Sequence, residues 1–384
     1  MKATVFGAGL MGTAIAYDLI HHTSFDTIQL IDKNKHSLQK AEQMIHSPDI
    51  EFICSELSHK EKIEKICSNA DVVISAVPYF FNVMLSNIAI NSGVHFIDLG
   101  GNNDVVNDQH ALHNLAVEHQ VTIIPDLGLA PGLVSVITKD IVDTYNDIES
   151  VKLRVGGLPV HPKPPLNYEI VFSPNGLINE YMEDAIILDR GTIQKKPSMT
   201  EIETISFPEP FHDMEAFITS GGCSTLPYSF KDIINYLDYK TIRYKGHCEK
   251  FKVLLDLGFG SLQPTSINNA QISPRSFLIN MLETYLPKSH EDVVLLKVIS
   301  KCKKNNKNVQ VEYEMIDYFD KNTGFTAMMR TTGFPVSITA DLLAKNIIKK
   351  RGVYCPEAII PPSILFQEMK NRHIIIQKNE KSLS

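Results

Sequence analysis

The sequence predicts an α/β fold in which a doubly wound parallel sheet is followed by a second α/β domain with a mixed or antiparallel sheet. Up to about residue 125, short and fully apolar strands alternate with helical segments, which is typical of a parallel sheet buried on both faces. After Gly128 the strands become longer and alternate apolar with polar residues. This change of pattern indicates a domain boundary near Gly128.

The first strand leads directly into a glycine-rich turn. The apolar segment Ala3–Phe6 is followed by G-x-G-x-x-G at Gly7, Gly9 and Gly12, and an Ala-rich helical segment comes next. In dinucleotide-binding units the first glycine makes the tight turn, the second lets the backbone approach a pyrophosphate, and the third lets the helix pack on the strand. The helix N-terminus then offers free N–H groups to the phosphates. We therefore expect a Rossmann-type dinucleotide-binding domain.

An acidic residue ends the second predicted strand. Asp32 follows the apolar segment Ile28–Ile31 and lies 20 residues after Gly12, where the ribose hydroxyls of a bound dinucleotide are expected. Its carboxylate would accept hydrogen bonds from the ribose diol and repel a 2′-phosphate. This favours NAD over NADP as the cofactor, although Lys33 would soften the repulsion.

Further cofactor contacts are expected at the carboxyl ends of the parallel strands, where ligands bind in doubly wound folds. Two of the predicted strands end at Pro78 and at Gly100-Gly101. Together with the glycine-rich turn and Asp32, these ends define the predicted cofactor-binding set. The set is Gly7, Gly9, Leu10, Met11, Gly12, Asp32, Ala76, Val77, Pro78, Leu99 and Gly100.

The second domain is predicted to hold its strands between loops rich in proline, glycine and serine. The predicted strands are Lys152–Val155, Thr241–Tyr244, Phe251–Leu255, Asp292–Ile299 and Gln310–Asp317. Near the C-terminus the pattern predicts an amphipathic helix over Ile338–Lys349. The polar tail is expected to fray beyond Gln377.

Composition narrows the function classes. The formal net charge of −7 argues against a general nucleic-acid-binding surface. No apolar run reaches about 18 residues, and the first strand starts at the N-terminus, so we expect neither a membrane span nor a signal peptide. Six cysteines without a C-x-x-C pair favour a reducing, cytoplasmic setting. His110 and His113 lie one helical turn apart without a third ligand nearby in sequence, so no metal site is expected.

Three residues are candidates for acid–base chemistry. Asp126 ends a strand at the domain boundary, where it would either face the substrate or cap the helix that opens near Pro131. Glu215 precedes a loop with a Gly-Gly pair. His247 would titrate near neutral pH, or would simply be packed or solvated. The residues alone leave open which of the three acts.

Four residues are candidates for binding a substrate. Arg243 could hold a carboxylate bidentately, or form a structural ion pair. Thr219 and Ser220 precede the Gly-Gly pair, which implies close approach of the backbone to a ligand or to another strand. Tyr168 follows two prolines and would line a pocket or pack in the core.

Six segments together resemble the saccharopine dehydrogenase-like family. They run along nearly the whole chain, and the last four are far more specific than a dinucleotide fingerprint alone. The segments are GAGLMG at Gly7–Gly12, FIDLGG at Phe96–Gly101, IIPDLGLAPG at Ile123–Gly132, VGGLPVHPKPPLNY at Val155–Tyr168, EAFITSGGCSTL at Glu215–Leu226 and YKTIRYKGHCEK at Tyr239–Lys250.

The resemblance implies a Rossmann domain over 1–127, a substrate and dimerisation domain over 128–334, and a C-terminal helical segment over 335–384 that folds back on the Rossmann domain. It also implies a homodimer or higher homo-oligomer. Within the family the chain is similar to the branch of L-lysine 6-dehydrogenases. That branch implies NAD-dependent oxidative deamination of the ε-amine of L-lysine, which yields ammonia, NADH and 2-aminoadipate 6-semialdehyde, and the semialdehyde cyclises to a piperideine carboxylate.

In that reaction the small-molecule amino acid would be held by Arg243 through its α-carboxylate, and Asp126, Glu215 or His247 would remove the proton of the amine. One departure from the family pattern bears on the substrate. Reductases that form saccharopine carry an acid before Pro-Gly, in GLDPG, whereas this chain has Ala130. The loss of that acid favours lysine as the smaller substrate. A saccharopine or carboxyspermidine-type NAD(P)-dependent reductase, and a non-catalytic NAD-binding regulatory protein, stay as alternatives.

Overall fold

The computed structural model describes residues 1–289 and 291–383 and divides into two compact units. Unit 1 consists of Met1–Asp143, Asp320–Phe325 and Met329–Ile375. Unit 2 consists of Thr144–Phe319, Thr326–Met328 and Ile376–Ser384. The predicted α/β fold class is confirmed, with a parallel sheet in unit 1 and a mixed sheet in unit 2. The predicted limits of the three domains stay a prediction.

The first part of the chain alternates strands and helices, as its pattern predicts. In chain order the elements are β1 (Lys2–Phe6), α1 (Leu10–His22), β2 (Thr27–Asp32), α2 (Lys35–Ile45), β3 (Ile50–Cys54), α3 (Lys60–Cys67), β4 (Val72–Ser75), α4 (Asn82–Asn91), β5 (His95–Asp98), α5 (Asn103–His110), α6 (His113–Glu118), β6 (Thr122–Ile124) and α7 (Leu133–Thr144).

The middle of the chain holds longer strands. Its elements are β7 (Asn146–Pro159), α8 (Pro174–Met182), β8 (Ala185–Asp189), β9 (Thr192–Lys196), β10 (Glu203–Ile205), β11 (Met214–Ile218), α9 (Leu226–Phe230), β12 (Ile234–Tyr244), α10 (His247–Asp256), β13 (Thr265–Ile267), β14 (Ala270–Ile272), α11 (Pro274–Tyr285), β15 (Asp292–Lys304) and β16 (Lys307–Tyr318). The last elements are α12 (Ala327–Ala344), β17 (Gly352–Val353), α13 (Pro356–Ile359), α14 (Pro362–Asn371) and β18 (Gln377–Ser382).

The sheet of unit 1 has the doubly wound strand order. Within the described residues its order is β17-β6-β5-β4-β1-β2-β3, and the recorded pairings are all parallel. The chain reverses direction across the sheet between β1 and β4, so the crevice at this point is where such folds bind ligands. The strand β17 joins the edge of the sheet, because Gly352 and Val353 pair with Thr122 and Ile123.

The sheet of unit 2 is mixed, since β12 runs parallel to β7 but antiparallel to β11. Glu215 lies opposite Arg243 in this register, and Phe217 lies opposite Thr241. Residues that are directly opposite or two apart share a face of a sheet. Glu215, Phe217, Thr241 and Arg243 therefore lie on one face, and Phe217 packs there with side chains of α8, α10 and α11.

One predicted strand is wrong. The segment Phe251–Leu255 belongs to helix α10 rather than to a strand. Taken alone, its apolar residues fit a short buried strand, but Cys248 and Phe251 are buried one helical turn apart and pack in the same core cluster as α8 and α11. Spacing over a longer window, which begins at Cys248, is that of a helix.

The prediction for the C-terminal part is wrong in two respects. The helix predicted over Ile338–Lys349 is α12, which begins at Ala327 and ends at Ala344. The tail does not fray beyond Gln377 but forms strand β18, which pairs antiparallel with β16. Lys378 lies over the rings of Tyr313 and Tyr145, so the strand is held by its backbone ladder and by cation–π contacts rather than by apolar burial.

A buried ion pair anchors the end of α14 to α1 within unit 1. Arg372 Nε lies 2.7 Å from Asp18 Oδ1 and 2.9 Å from Oδ2, and both residues are buried. The guanidinium also donates to the Glu368 carboxylate at 2.7 Å. A buried carboxylate needs such a partner because charge is costly to remove from water.

In the part of the chain that the structure describes, no helix is long and apolar enough to cross a membrane. The six cysteines are free thiols. The cytoplasmic location stays a prediction.

Candidate active site

The glycine-rich turn in unit 1 has the geometry that the sequence predicts. A Cβ built on Gly12 would lie 1.7 Å from the carbonyl oxygen of Gly7, so only glycine allows this approach of helix to turn. The first turn of α1 closes with Thr13 N–H donating to Gly9 O at 3.0 Å. The N–H groups of residues 10–12 precede that bond and point out of the helix end.

The Asp32 carboxylate lies beside this turn. Its Oδ2 accepts from the Ala8 N–H at 2.8 Å and its Oδ1 accepts from the Asn34 N–H at 2.8 Å. These bonds place the carboxylate at the end of β2 and next to the turn. Each oxygen retains a lone pair for a further donor such as a ribose hydroxyl.

The other predicted cofactor residues lie at the ends of neighbouring strands. A Cβ on Gly7 would lie 2.5 Å from Ala76 O and 3.2 Å from Val77 Cγ1, so the segment after β4 packs directly on the turn. Pro78 follows and precedes a 3₁₀ turn over Tyr79–Phe81. Leu99 and Gly100 follow β5, the strand next to β4.

The residues present fit a dinucleotide. A Cβ on Gly9 would meet nothing within 4 Å, so open space lies against the backbone where a pyrophosphate approaches. A cavity of about 210 Å³ adjoins this point and is lined by Gly9, Leu10 and Thr13 on one side and by Ser37 and Lys40 of α2 on the other. The turn and Asp32 would hold the phosphates and a ribose.

Asp126 lies in a compact cluster at the same end of the sheet. It is buried, its φ is 63°, and its Oδ1 accepts from the Gly101 N–H at 3.3 Å. A Cβ on Gly100 would lie 1.5 Å from this oxygen. Asp98 supports the cluster, since its carboxylate accepts from Gly100 N, Asp126 N and Gln109 Nε2 at 2.7, 3.2 and 2.6 Å.

In unit 2 the Arg243 guanidinium lies in a cage of aromatic rings. Only 2% of Arg243 is exposed. Its Cζ lies 4.8 Å from the ring centre of Tyr168 and 5.8 Å from that of Tyr181. Its Nε donates to the Tyr181 hydroxyl at 2.8 Å and its Nη1 to Ile242 O at 2.9 Å. Among the described residues no carboxylate oxygen lies within 4.0 Å of its nitrogens.

Tyr168, for which the sequence leaves open whether it lines a pocket or packs in the core, is fully buried against this guanidinium. Its hydroxyl proton has no acceptor among residues 1–289 and 291–383. A buried hydroxyl group whose proton has no acceptor costs free energy of folding. The cage therefore offers a second donor beside the arginine.

His247 lies behind the cage and serves to orient Tyr181. Its Nδ1 lies 3.0 Å from Leu166 O and therefore carries the proton, so its Nε2 accepts from the Tyr181 hydroxyl at 3.1 Å. Burial and the nearby Arg243 lower the pKa of His247 to about 3. The ring is neutral at physiological pH, and both of its nitrogens are occupied. This environment does not suit the acid–base role expected from the sequence.

Glu215 caps helix α10. Its Oε2 accepts from the Gly246 N–H at 2.8 Å and its Oε1 from the Cys248 N–H at 2.6 Å. A carboxylate at a helix N-terminus is stabilised by the helix dipole and by the free N–H groups. The structure thus places Glu215 on the same sheet face as Arg243 but engages it in capping rather than in proton transfer.

Thr219 and Ser220 lead into the Gly-Gly loop on the same side of the sheet. Thr219 Oγ1 lies 2.7 Å from Thr241 Oγ1, and Ser220 N–H donates to Glu180 O at 3.0 Å. A Cβ on Gly222 would lie 2.3 Å from the ring of Tyr239, so this glycine is required for close packing. The loop is thereby fastened to α8 and to β12.

Glu180 of α8 was not expected from the sequence. Its neighbours Asn179, Met182 and Glu183 suggest an exposed helix face, and no local motif marks it. In the structure it is half-buried, and burial raises the pKa of its carboxyl to about 7, an effect that Arg243 opposes. Within the described residues no hydrogen bond or ion pair holds this carboxylate.

No group of three or more His, Cys, Asp or Glu side chains in the described residues could hold a metal ion. His110 lies one helical turn before His113 in the sequence, and its Nε2 is 3.3 Å from Cys355 Sγ.

The two parts of the chain match two profiles of one family. Residues 3–124 match the saccharopine dehydrogenase NADP binding domain, and residues 128–375 match the saccharopine dehydrogenase C-terminal domain. The doubly wound sheet and the glycine-rich turn of unit 1 thus form a domain that binds a nucleotide cofactor. The chain belongs to the saccharopine dehydrogenase family, which confirms the resemblance inferred from its motifs.

Curated relatives are distant in sequence. The saccharopine dehydrogenase (NADP(+), L-glutamate-forming) of Saccharomyces cerevisiae is 20% identical over 430 residues, which cover 90% of this chain and 92% of that protein. The mitochondrial alpha-aminoadipic semialdehyde synthase of Bos taurus is 21% identical over 374 residues, covering 77% of this chain. The chain spans only 39% of the length of that synthase.

A solved structure of similar fold is the apo saccharopine dehydrogenase (L-Glu forming) from Saccharomyces cerevisiae. Its TM-score is 0.80 at 18% sequence identity, with 100% of both chains covered. This similarity confirms the fold.

Proposed function

We propose that the protein is an NAD-dependent dehydrogenase that oxidatively deaminates the ε-amine of L-lysine. One observation carries the proposal: Arg243 is a buried cation that no described carboxylate pairs. A buried charge without a counter-charge is strongly disfavoured. An amino-acid carboxylate would supply that counter-charge and would also accept from the Tyr168 hydroxyl.

The chemistry balances as follows. L-Lysine, NAD⁺ and water give 2-aminoadipate 6-semialdehyde, ammonium, NADH and one proton. A nicotinamide bound by the glycine-rich turn and Asp32 would supply the acceptor for the hydride of the ε-carbon. The protein must remove the proton of the ε-ammonium, because only a neutral amine can release hydride from the neighbouring carbon.

Of the three candidate bases, Asp126 keeps this role in our proposal. Glu215 caps α10, and His247 is neutral with both nitrogens occupied. Asp126 lies at the carboxyl end of β6, on the edge of the sheet where ligands of doubly wound folds bind. Arg243 fixes the orientation of the substrate by holding its α-carboxylate.

NAD rather than NADP is proposed because of Asp32, whose carboxylate is fixed beside the glycine-rich turn. A 2′-phosphate bound there would be repelled. The Saccharomyces cerevisiae relative is named as an NADP(+) enzyme, so cofactor choice is a point on which this chain would differ from it.

A second candidate is a saccharopine-type reductase, which joins an amine and an aldehyde with NAD(P)H. The Saccharomyces cerevisiae saccharopine dehydrogenase favours this candidate, because the alignment with it covers 90% of this chain. Ala130 in the loop before α7 argues against it, since the family resemblance implies an acid at this position in reductases of that type.

The test is the absorbance of reduced cofactor formed by purified protein with NAD or NADP at mildly alkaline pH. L-Lysine, L-ornithine, L-saccharopine and diamines serve as substrates. Turnover of lysine, with ammonia released in equal amount, supports the proposal. Turnover of saccharopine alone supports the reductase, and binding of NAD without any turnover supports a regulatory protein. We also propose a homodimer or larger homo-oligomer, which light scattering tests.

A further inference from the structure

Two opposite charges of unit 2 lie near the same two tyrosines, Tyr168 and Tyr181, without forming an ion pair in the part of the chain that the structure describes. Arg243 and Glu180 share Tyr168 and Tyr181 as electrostatic neighbours. Nevertheless, no nitrogen of Arg243 comes within 4.0 Å of a carboxylate oxygen in the described residues. Within residues 1–289 and 291–383, part of the hydrogen-bonding capacity of both groups is left unused.

Charged side chains that are withdrawn from water normally satisfy each other. A cation and an anion that are near but separate are instead complementary to a ligand with the same two charges in the opposite order. In an α-amino acid the carboxylate and the ammonium are attached to one carbon. Its zwitterionic head could contact both side chains at once.

We propose that Glu180 binds the α-ammonium group of an α-amino acid whose α-carboxylate is held by Arg243. The site in unit 2 is thus a receptor for a zwitterionic amino-acid head. This inference rests on the proposed function only in taking an amino acid as the ligand. It assigns the second charge of that ligand to a residue that no sequence motif marks.

The glycine loop runs directly beside Glu180. A Cβ built on Gly221 would be 3.9 Å from Glu180 Cγ, its nearest heavy atom. Ser220 N–H fixes the loop to the Glu180 carbonyl at 3.0 Å. The Tyr168 hydroxyl, whose proton has no acceptor among the described residues, supplies a further donor for the carboxylate.

Head recognition also explains why the ε-carbon would react. Lysine carries two amines, and hydride could leave from either carbon. If the α-ammonium and α-carboxylate are both engaged in the cage, the α-carbon is fixed within unit 2. The terminal amine, which the cage does not engage, is then the group left for oxidation.

Affinity should depend on pH through Glu180. Burial raises the pKa of Glu180 to about 7, and only the ionised form attracts an ammonium group. The other titratable groups that face it are Arg243, Glu183, Tyr168, Tyr181 and Tyr239. The three tyrosines have raised pKa values because of burial, and the nearby His247 is neutral because its pKa is about 3. The affinity for an amino-acid head should therefore fall as the pH is lowered through about 7.

The experiment is calorimetric titration of the full chain with two ligands that differ at the head. L-Norleucine has the complete head but no side-chain amine. 6-Aminohexanoate has the carboxylate and the terminal amine but no α-ammonium. For Glu180→Gln we expect binding of L-norleucine to weaken by at least about tenfold, the loss of its pH dependence, and unchanged binding of 6-aminohexanoate.

Glu283→Gln is the matched control, because it removes the same charge from an exposed residue of α11. It should bind both ligands as the wild type does. Equal weakening of both ligands by Glu180→Gln, no weakening of either, or absence of saturable L-norleucine binding to the wild type would overturn the inference. If L-norleucine binding depends on Glu180 but L-lysine is not oxidised, the head receptor stands and the proposed reaction fails.

Discussion

Alanine at Gly9 or at Gly12 separates two tasks of the glycine-rich turn. At Gly12 a Cβ would lie 1.7 Å from Gly7 O and 2.9 Å from Gly7 C, both of them backbone atoms that cannot rotate away. At Gly9 no heavy atom lies within 4 Å of the Cβ, and its φ of −77° suits any residue. The first change must displace the turn or the helix, whereas the second disturbs only the space in front of the turn.

The magnitudes follow from these contacts. Overpacking typically costs about 1–3 kcal/mol, and a backbone clash this short places Gly12→Ala at the upper end of that range. Gly9→Ala should leave the free energy of unfolding unchanged or raise it by about 0.4–1 kcal/mol, because alanine restricts the unfolded chain. Its methyl group would nevertheless occupy the space into which the pyrophosphate fits, so we expect NAD affinity to fall by at least about tenfold.

Urea unfolding followed by circular dichroism measures the first effect, and titration followed by NADH fluorescence measures the second. We expect Gly12→Ala to lose both stability and binding, and Gly9→Ala to lose binding only. Wild-type affinity of Gly9→Ala for NADH would refute the placement of the pyrophosphate. Wild-type stability of Gly12→Ala would refute the packing argument.

Three further predictions concern unit 1. Arg372→Met leaves the buried Asp18 carboxylate unpaired and should lower the free energy of urea unfolding by about 3–5 kcal/mol. Glu368→Gln, which removes the partly exposed partner of Arg372, should lower it by less than about 1 kcal/mol. Equal losses in the two variants would contradict the importance of the buried pair. Asp32→Asn removes the repulsion of a 2′-phosphate and should raise the NADP-to-NAD affinity ratio by at least about tenfold in fluorescence titrations; an unchanged ratio would show that Asp32 does not select the cofactor. Burial raises the pKa of Asp98 from 3.8 to about 6. As the pH is lowered, the folded protein therefore binds a proton at this carboxylate before the unfolded chain does. The contribution of Asp98 to the free energy of unfolding should rise as the pH falls from about 6 to 4. Asp98→Asn should abolish that rise in urea titrations, and an identical pH dependence in the variant would count against it.

The parts of the molecule that depend on local pattern could be predicted from the sequence. The turn at Gly7–Gly12 and the acid at Asp32 belong to one contiguous strand–turn–helix–strand unit, so their spacing carries the geometry. The strands of unit 1 can be predicted because each is a short, continuous apolar run in the local sequence. The binding role of Arg243 stays a prediction, and the tyrosine cage around it depends on α8, which lies far from β12 in sequence.

Elements that depend on long-range pairing were mispredicted. Strand β18 is polar and exposed, and it becomes a strand only because β16 offers a free edge. The segment Phe251–Leu255 of α10 fits a strand when it is taken alone, because the helical spacing begins at Cys248 and the Glu215 side chain that caps the helix comes from a distant strand. Glu180 was missed because an acid among polar neighbours on a helix usually faces solvent.

His247 shows why a residue type alone does not assign a role. Histidine titrates near neutral pH when it is solvated, but here burial and Arg243 keep it neutral. The Leu166 carbonyl accepts from Nδ1 of the His247 ring, so Nε2 of that ring accepts from the Tyr181 hydroxyl. No pattern within the segment Tyr239–Lys250 specifies that contact.

The most direct test of the proposed reaction uses L-lysine labelled with ¹⁵N at the ε-amine. The wild-type protein and NAD should release labelled ammonia, one molecule for each NADH formed. Arg243→Met should abolish this release while NADH binding is retained. Consumption of NAD(P)H with an amine and 2-aminoadipate 6-semialdehyde, together with no labelled ammonia from lysine, would contradict the account and establish the reductase instead.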